Sequence, residues 1–212
     1  MDSWRMDKTD YIENIQDGER RFISHPVEFR EDNEEGTIEG IASEVERWYD
    51  LGYFEERIAK GAFDEVMDND VRALFNHDPN LVLARTKSKT LNLSTDKKGN
   101  LVYRYKTPNR SYAKDLEDSV KSGDVDQSSF AFRVAEESWE WRDDNKDLKK
   151  DRRTITRIEK LYDVSPVTYP ASPSTTVAAR KLQDHNLELK EAKKRKNENI
   201  LKLAKAKLKL NK

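Results

Sequence analysis

The sequence predicts a mostly β, α+β fold with a separate helical tail, and three observations carry that reading. Apolar residues recur at every second position in several short runs, the pattern of half-buried strands. Only two stretches of the body, Lys60 to Met67 and Ser111 to Ser122, have helical character. Long strand segments bracket each of them instead of alternating in βαβ fashion, which favours a mostly antiparallel sheet or small barrel over a doubly wound fold.

In chain order, Met1 to about Gly18 is polar and reads as a loose arm. Strand signals begin at Arg21 to Phe29, around Pro26, and continue at Gly36 to Ala42, whose two glycines fit a turn and a bend at a barrel corner. Lys60 to Met67 is the first helix-like stretch, and Val71 to Phe75 is a short buried strand leading to His77. Leu91 and Leu93 alternate on one side of the turn-prone DKKGN, and Leu101, Tyr103 and Tyr105 on the other, which makes a hairpin with a half-buried face. Ser111 to Ser122 places Tyr112, Leu116, Ser119 and Val120 at helical spacing and ends at Gly123, a C-cap residue.

Ser128 to Val134 is a strand with Phe130, Phe132 and Val134 on one face and Ser129, Ala131 and Arg133 on the other. Ala135 to Arg153 is highly charged and reads as a long hairpin tip or mobile loop, and Ile155 to Tyr169 returns to strand. Pro170 to Ser174 forms a Pro/Ser-rich exit. Beyond it Leu182, Leu189, Leu203 and Leu210 fall on multiples of seven, a heptad repeat interrupted at Lys196. The expected organisation is a flexible arm over 1–20, one domain over 21–180 and a basic helical tail over 181–212.

Composition narrows the function classes. Hydrophobic residues make up 35% and charged residues 38%, so a compact core carries well-solvated surroundings. The 40 Lys and Arg nearly cancel the 41 Asp and Glu, which points to neither nucleic acid nor membrane as partner. The charge is uneven, however: from Arg180 onward 12 basic residues face 4 acidic ones, a balance of +8 against −9 for the rest. With no cysteine, thiolate nucleophiles, disulfides and cysteine-ligated zinc are excluded. No apolar run reaches a membrane span and no secretory leader opens the chain, so an intracellular location is expected. No phosphate loop, HExxH or EF-hand pattern occurs, and neither metal nor cofactor is expected.

Among the chemistry these residues permit is a hydroxyl nucleophile with a histidine base, although such a pair alone is weak evidence. His77 sits between the apolar run Val71 to Phe75 and Asp78-Pro79, at a sheet edge or mouth. Taken alone, such a histidine is more often structural than catalytic. His25, before a proline, and His185, in the charged tail, are poorer candidates. Of the adjacent serines, Ser128 points with Phe130 into the core, whereas Ser129 shares its face with the small Ala131, leaving room for a substrate carbonyl. Ser129 also fits an ordinary strand serine bonded to a neighbour, but if either serine is a nucleophile, Ser129 is preferred. A third group to orient the base is offered by Asp163 or Glu159 on the late strand, with Asp78 and Asp126 as local alternatives. Arg133 or Arg157 could assist backbone N–H groups in stabilising an oxyanion.

Four segments in this order, EERIAKGAFDEV, VRALFNHDPNLVLARTKSKTLNLSTDKKGNLVYRY, GDVDQSSFAFRV and LYDVSPVTYPASP, resemble the prohead (capsid-maturation) serine proteases of tailed bacteriophages. The resemblance runs from about Arg21 to Arg180. It implies a herpesvirus assemblin-like β-barrel flanked by helices, with Ser129 as nucleophile, His77 as general base and Asp163, in its acidic-Val-Ser context, as third member. It further implies a serine endopeptidase that cleaves capsid-protein precursors or scaffolding segments inside the immature capsid in the host cytoplasm, and that cleaves itself. The tail would be a targeting or removable segment, and a homodimer is expected by analogy. The competing reading is a non-catalytic assembly protein whose tail is a scaffold-like helix. A nuclease built on Asn76-His77-Asp78 lacks a second histidine or a metal cluster to accompany it.

Overall fold

The computed structural model describes residues 19–23, 27–32, 35–52, 54–145, 147–169, 185–196 and 198. The chain divides into two compact units, 1–173 and 174–212. In the second unit residues 185–196 are helical, and Glu191 and Arg195 pair one turn apart at 3.5 Å. The arm before Glu19, His25, the Pro170 to Ser174 exit and the heptad positions Leu182, Leu203 and Leu210 lie outside the described residues.

The first unit is the strand-dominated α+β fold that the sequence predicts. A four-stranded sheet has the order β2-β3-β9-β8, formed by Val27–Asp32 (β2), Glu35–Ser43 (β3), Leu91–Thr95 (β8) and Leu101–Lys106 (β9). A seven-stranded sheet has the path β1-β10-β11-β5-β4, formed by Glu19–Ile23 (β1), Tyr49–Asp50 (β4), Phe54–Ile58 (β5), Gln127–Glu140 (β10) and Asp151–Val167 (β11). Arg72–Phe75 (β6) joins this sheet beside β11, and Asp78–Arg85 (β7) pairs with β6. Pairing is antiparallel except at β11, which accepts both β5 and β6 in parallel.

The two sheets enclose one core, with Ile38, Leu101 and Tyr103 from the smaller sheet meeting Phe130, Phe132, Ile155 and Val164 from the larger. Strand alternation explains which residues face inward. In β9, Leu101, Tyr103 and Tyr105 are buried while Arg104 and Lys106 are exposed. Across the hairpin Leu91 faces Tyr105 and Leu93 faces Tyr103. The helix Ser111–Ser122 (α1) buries Ala113, Leu116 and Val120 and closes at Gly123, whose φ of 83° is the left-handed C-cap conformation that glycine adopts without strain. Its Tyr112 and the preceding Arg110 both donate to the Val82 carbonyl on β7.

Three local expectations are corrected. Lys60 to Met67 yields only a 3-10 turn at Asp64–Val66, because its backbone is tied to β11: Ala59 N–H donates to Ile155 O, and Ile158 N–H to Ala62 O. Gly36 and Gly40 lie within β3 instead of at corners, and aromatic rings occupy the space a side chain would fill. A Cβ on Gly40 would stand closer to the Tyr103 ring than real Cβ contacts allow. The charged stretch after Val134 is mostly strand, with β10 continuing to Glu140 and β11 starting at Asp151. Its inward positions are polar or amphipathic. Trp139 stacks on Trp141 at 4.9 Å and meets Phe54 at 5.2 Å, and the buried Arg153 pairs with Glu56 at 2.8 Å and with Glu137.

Candidate active site

Adjacent strands β10, β11 and β6 bring the three sequence-selected residues together. Ser129 on β10 lies opposite Ser165 on β11, and Ala131 lies opposite Asp163. Asp163 and Ser165, two residues apart, share a face. On the other side of β11, Asp163 pairs with Arg72 and Val164 with Ala73 of β6. The chain then leaves β6 through Asn76 and His77 and turns back into β7, which places the imidazole over this face.

That turn is unusual backbone. Asn76 and His77 have φ of 53° and 58°, the left-handed region that non-glycine residues rarely occupy. Successive residues of this kind persist only when their surroundings fix them. Asn76 supplies the fixing bonds: its N–H donates to Pro166 O at 3.0 Å, its Oδ1 accepts from Thr168 N–H at 2.9 Å, and its Nδ2 donates to Thr168 Oγ1 at 3.1 Å.

His77 Nε2 lies 2.6 Å from Ser129 Oγ, and Nδ1 lies 2.5 Å from Asp163 Oδ1. A carboxylate can only accept at Nδ1, so Nδ1 carries the proton and Nε2 is the acceptor for the serine hydroxyl. Ser165 adds a fourth member. Its hydroxyl donates to Asp163 Oδ1 at 2.9 Å and lies 3.3 Å from Nδ1. The sequence reading gave Ser165 no role, although its place two residues beyond Asp163 on a strand was the available signal.

The remaining candidates sit elsewhere. Ser128 points to the opposite face, where its Oγ meets the Tyr103 hydroxyl at 2.9 Å. Burial pushes that phenol well above its ordinary pKa, opposed by the Ser128 bond, so Tyr103 stays protonated. Glu159 pairs with Arg133 at 2.8 Å, Asp78 accepts from its own turn at Asn80 N–H, and Asp126 is exposed. Arg133 and Arg157 are occupied by Glu159 and Glu136 on the exposed side of the hairpin. His185 belongs to the second unit.

One expectation fails. The face that carries Ser129 is not open: Ser129, Asp163 and Ser165 are each 0% exposed and His77 is 6% exposed. The strand bearing the serine is also flanked on both edges, by β11 and by β1, where Phe22 pairs with Ser129.

A buried hydroxyl, imidazole and carboxylate in a linear hydrogen-bonded chain is the constellation of acyl-transfer enzymes. A family model described as caudovirus prohead serine protease matches residues 24–188, which include all of these groups. The chain belongs to that family. No curated protein matches it. The solved structure of the bacteriophage T4 capsid assembly protease, gp21, is similar at 13% sequence identity and a TM-score of 0.45, over 72% of this chain and 98% of that one. As a family member the chain is a protease of capsid maturation. Among its described residues no helix is long and apolar enough to cross a membrane, and no cluster of three or more His, Asp or Glu is placed to hold a metal ion.

Proposed function

We propose that this prohead protease is a serine endopeptidase in which Ser129 is the nucleophile, His77 the general base and Asp163 the group that orients it. The observation that carries the reading is the continuous chain from Ser129 Oγ through both nitrogens of His77 to Asp163 Oδ1, at 2.6 and 2.5 Å. Ser129 Oγ attacks the scissile carbonyl carbon while its proton passes to His77 Nε2. The imidazolium so formed is stabilised by Asp163 and then protonates the leaving amine, which breaks the peptide bond and leaves an acyl-serine. Water, deprotonated by the same nitrogen, hydrolyses the ester and restores the hydroxyl. Ser165 keeps Asp163 aligned through its hydroxyl bond.

The substrates in this reading are capsid-protein precursors or scaffolding segments, cleaved inside the prohead in the host cell. The protease also cleaves itself, and the basic segment 181–212 targets it into the shell or is removed on activation. The uneven charge supports a distinct role for that segment, with 12 basic residues against 4 acidic ones from Arg180 onward.

The deciding experiment compares Ser129→Ala with Ser128→Ala by mass spectrometry of precursor and protease together. Ser129→Ala is expected to abolish both cleavages. Ser128→Ala should keep them, with a stability loss of about 1–3 kcal/mol from the abandoned Tyr103 hydroxyl. Full cleavage by Ser129→Ala would overturn the assignment, and a tail that stays intact during complete substrate turnover would remove its activating role. A serine-directed covalent probe that labels the parent but not Ser129→Ala separates an enzyme from a purely structural assembly protein.

A further inference from the structure

His77 is the second central residue of a two-residue hairpin turn. Phe75 of β6 pairs with Asp78 of β7, and Asn76 and His77 between them both have positive φ, at 53° and 58°. Positive φ at both centres is what a type I′ turn requires, and it favours asparagine at the first centre and glycine at the second. This chain keeps the asparagine and has a histidine in the place of the glycine. Glycine would take that backbone freely but carries no imidazole, so the cost at position 77 has to be offset by neighbouring bonds.

The hairpin ladder next to the turn is irregular. The pair after Phe75 and Asp78 is Leu74 with Val82, a register shift that skips 79–81, and Pro79 has no N–H to donate. Asp78 turns toward its own strand, where its Oδ1 accepts from the N–H and the Nδ2 of Asn80 at 2.8 and 2.7 Å. Asn76 instead reaches across to the end of β11. Its N–H donates to Pro166 O, and its carboxamide meets the N–H and the hydroxyl of Thr168 at 2.9 and 3.1 Å. Three bonds therefore converge on 166–168, directly after Asp163 and Ser165. β6 runs parallel to β11 with Arg72 opposite Asp163, so these bonds extend the register that brings the carboxylate to the imidazole.

We propose that Asn76 is a positioning residue for peptide cleavage. Its carboxamide, clamped on Thr168, sets where the His77 ring stands relative to Asp163 and Ser129. The inference deepens the protease reading and rests on it for the reaction. Without the carboxamide the turn can relax toward negative φ, which swings the imidazole off the strand face. A displacement of about 1 Å costs a reacting group about a hundredfold in rate. Asn76 is itself exposed, so removing its side chain opens no cavity in the core. An effect on catalysis is thereby separable from one on packing.

The test compares Asn76→Gly with Asn76→Asp in the full chain. Glycine accepts positive φ and removes the clamp. Aspartate keeps an acceptor for the Thr168 N–H, and the Thr168 hydroxyl can rotate to donate to it. On a short fluorogenic peptide, Asn76→Gly is expected to lower kcat by about tenfold to a hundredfold while KM changes by less than about twofold. Asn76→Asp should recover most of that loss. In substrate-free protein, the far-downfield proton resonance of the His77 Nδ1–H held by Asp163 should fade in Asn76→Gly and persist in Asn76→Asp. Circular dichroism melting curves check that each variant folds. Thr168→Val removes the hydroxyl but keeps the N–H bond, so it should give a smaller loss in kcat and reads the same clamp if the glycine variant does not fold. Unchanged kcat or an unaltered resonance in Asn76→Gly, a loss confined to KM, or equal impairment of Asn76→Asp would each overturn the proposal. A parent protein that cleaves no peptide would instead strike the protease reading, and the resonance would still decide whether Asn76 places His77.

Discussion

Asp163 fixes which nitrogen of His77 carries the proton, and a change that keeps its shape while removing its charge isolates that role. Asp163→Asn is expected to lower kcat by about three to four orders of magnitude with little change in the melting temperature, measured on a short fluorogenic peptide. The loss comes from presenting Nε2–H instead of a free acceptor to Ser129. The residues of this site were legible to different depths. Ser129 was separable from Ser128 by strand alternation, and Tyr103 now gives the physical reason, since it claims the hydroxyl on the inner face. Asp163 stood among several carboxylates until the resemblance selected it. The Asn76 bonds to Thr168 span 92 positions, and no local pattern announces them. Burial of Ser129 was also beyond the sequence, because alternation says which face a side chain takes but not what covers that face.

The elements were most legible where polarity alternates cleanly, as in the Leu91 to Tyr105 hairpin and the helix that ends at Gly123. They were least legible where inward positions are charged. Glu137 and Arg153 are buried against each other, so the hairpin that carries them resembles a solvated loop when judged by hydropathy alone. The glycines of β3 illustrate a related blind spot, since glycine reads as punctuation but serves here as clearance. Gly40 lets the Tyr103 ring pass over β3, and Tyr103 in turn holds Ser128, the neighbour of Ser129 in the chain. Gly40→Ala is expected to displace that ring and destabilise the fold by about 1–3 kcal/mol, the usual cost of overpacking a core. Chemical denaturation measures the loss, and a simultaneous Tyr103→Phe should not restore it, because the clash involves ring carbons as well as the hydroxyl.

At the scale of the whole molecule, β11 joins its neighbours into one body. Near its start, Arg153 bridges Glu56 of β5 and Glu137 of β10 with its side chain 1% exposed, and near its end Asp163 and Ser165 complete the hydrogen-bonded group around His77. Removing one partner of such a buried pair leaves uncompensated charge. Arg153→Ala is therefore expected to cost about 3–5 kcal/mol of stability and to lower the midpoint of urea denaturation, although the residue is far along the strand from the serine. The strand-dominated α+β class follows from alternation along the chain, but the division into two sheets does not. The parallel placement of β5 and β6 on a single long strand does not, because nothing local in either segment names its partner.

The length of that hairpin has an arithmetic consequence. Ser129 faces Ser165 within one stretch of regular pairing, from Gln127 opposite Val167 to Ala131 opposite Asp163, and strand side chains there take sides by odd and even position. Moving Asp163 by one step against β10 would send its carboxylate to the core side and bring Val164 toward His77. The stretch beside the site therefore works as a counter whose parity must be kept. Removing a single residue from β11 between Arg153 and Asp163 should silence peptide cleavage. Shortening the turn at 142–149 by the same amount should spare it, since the turn lies outside both strands.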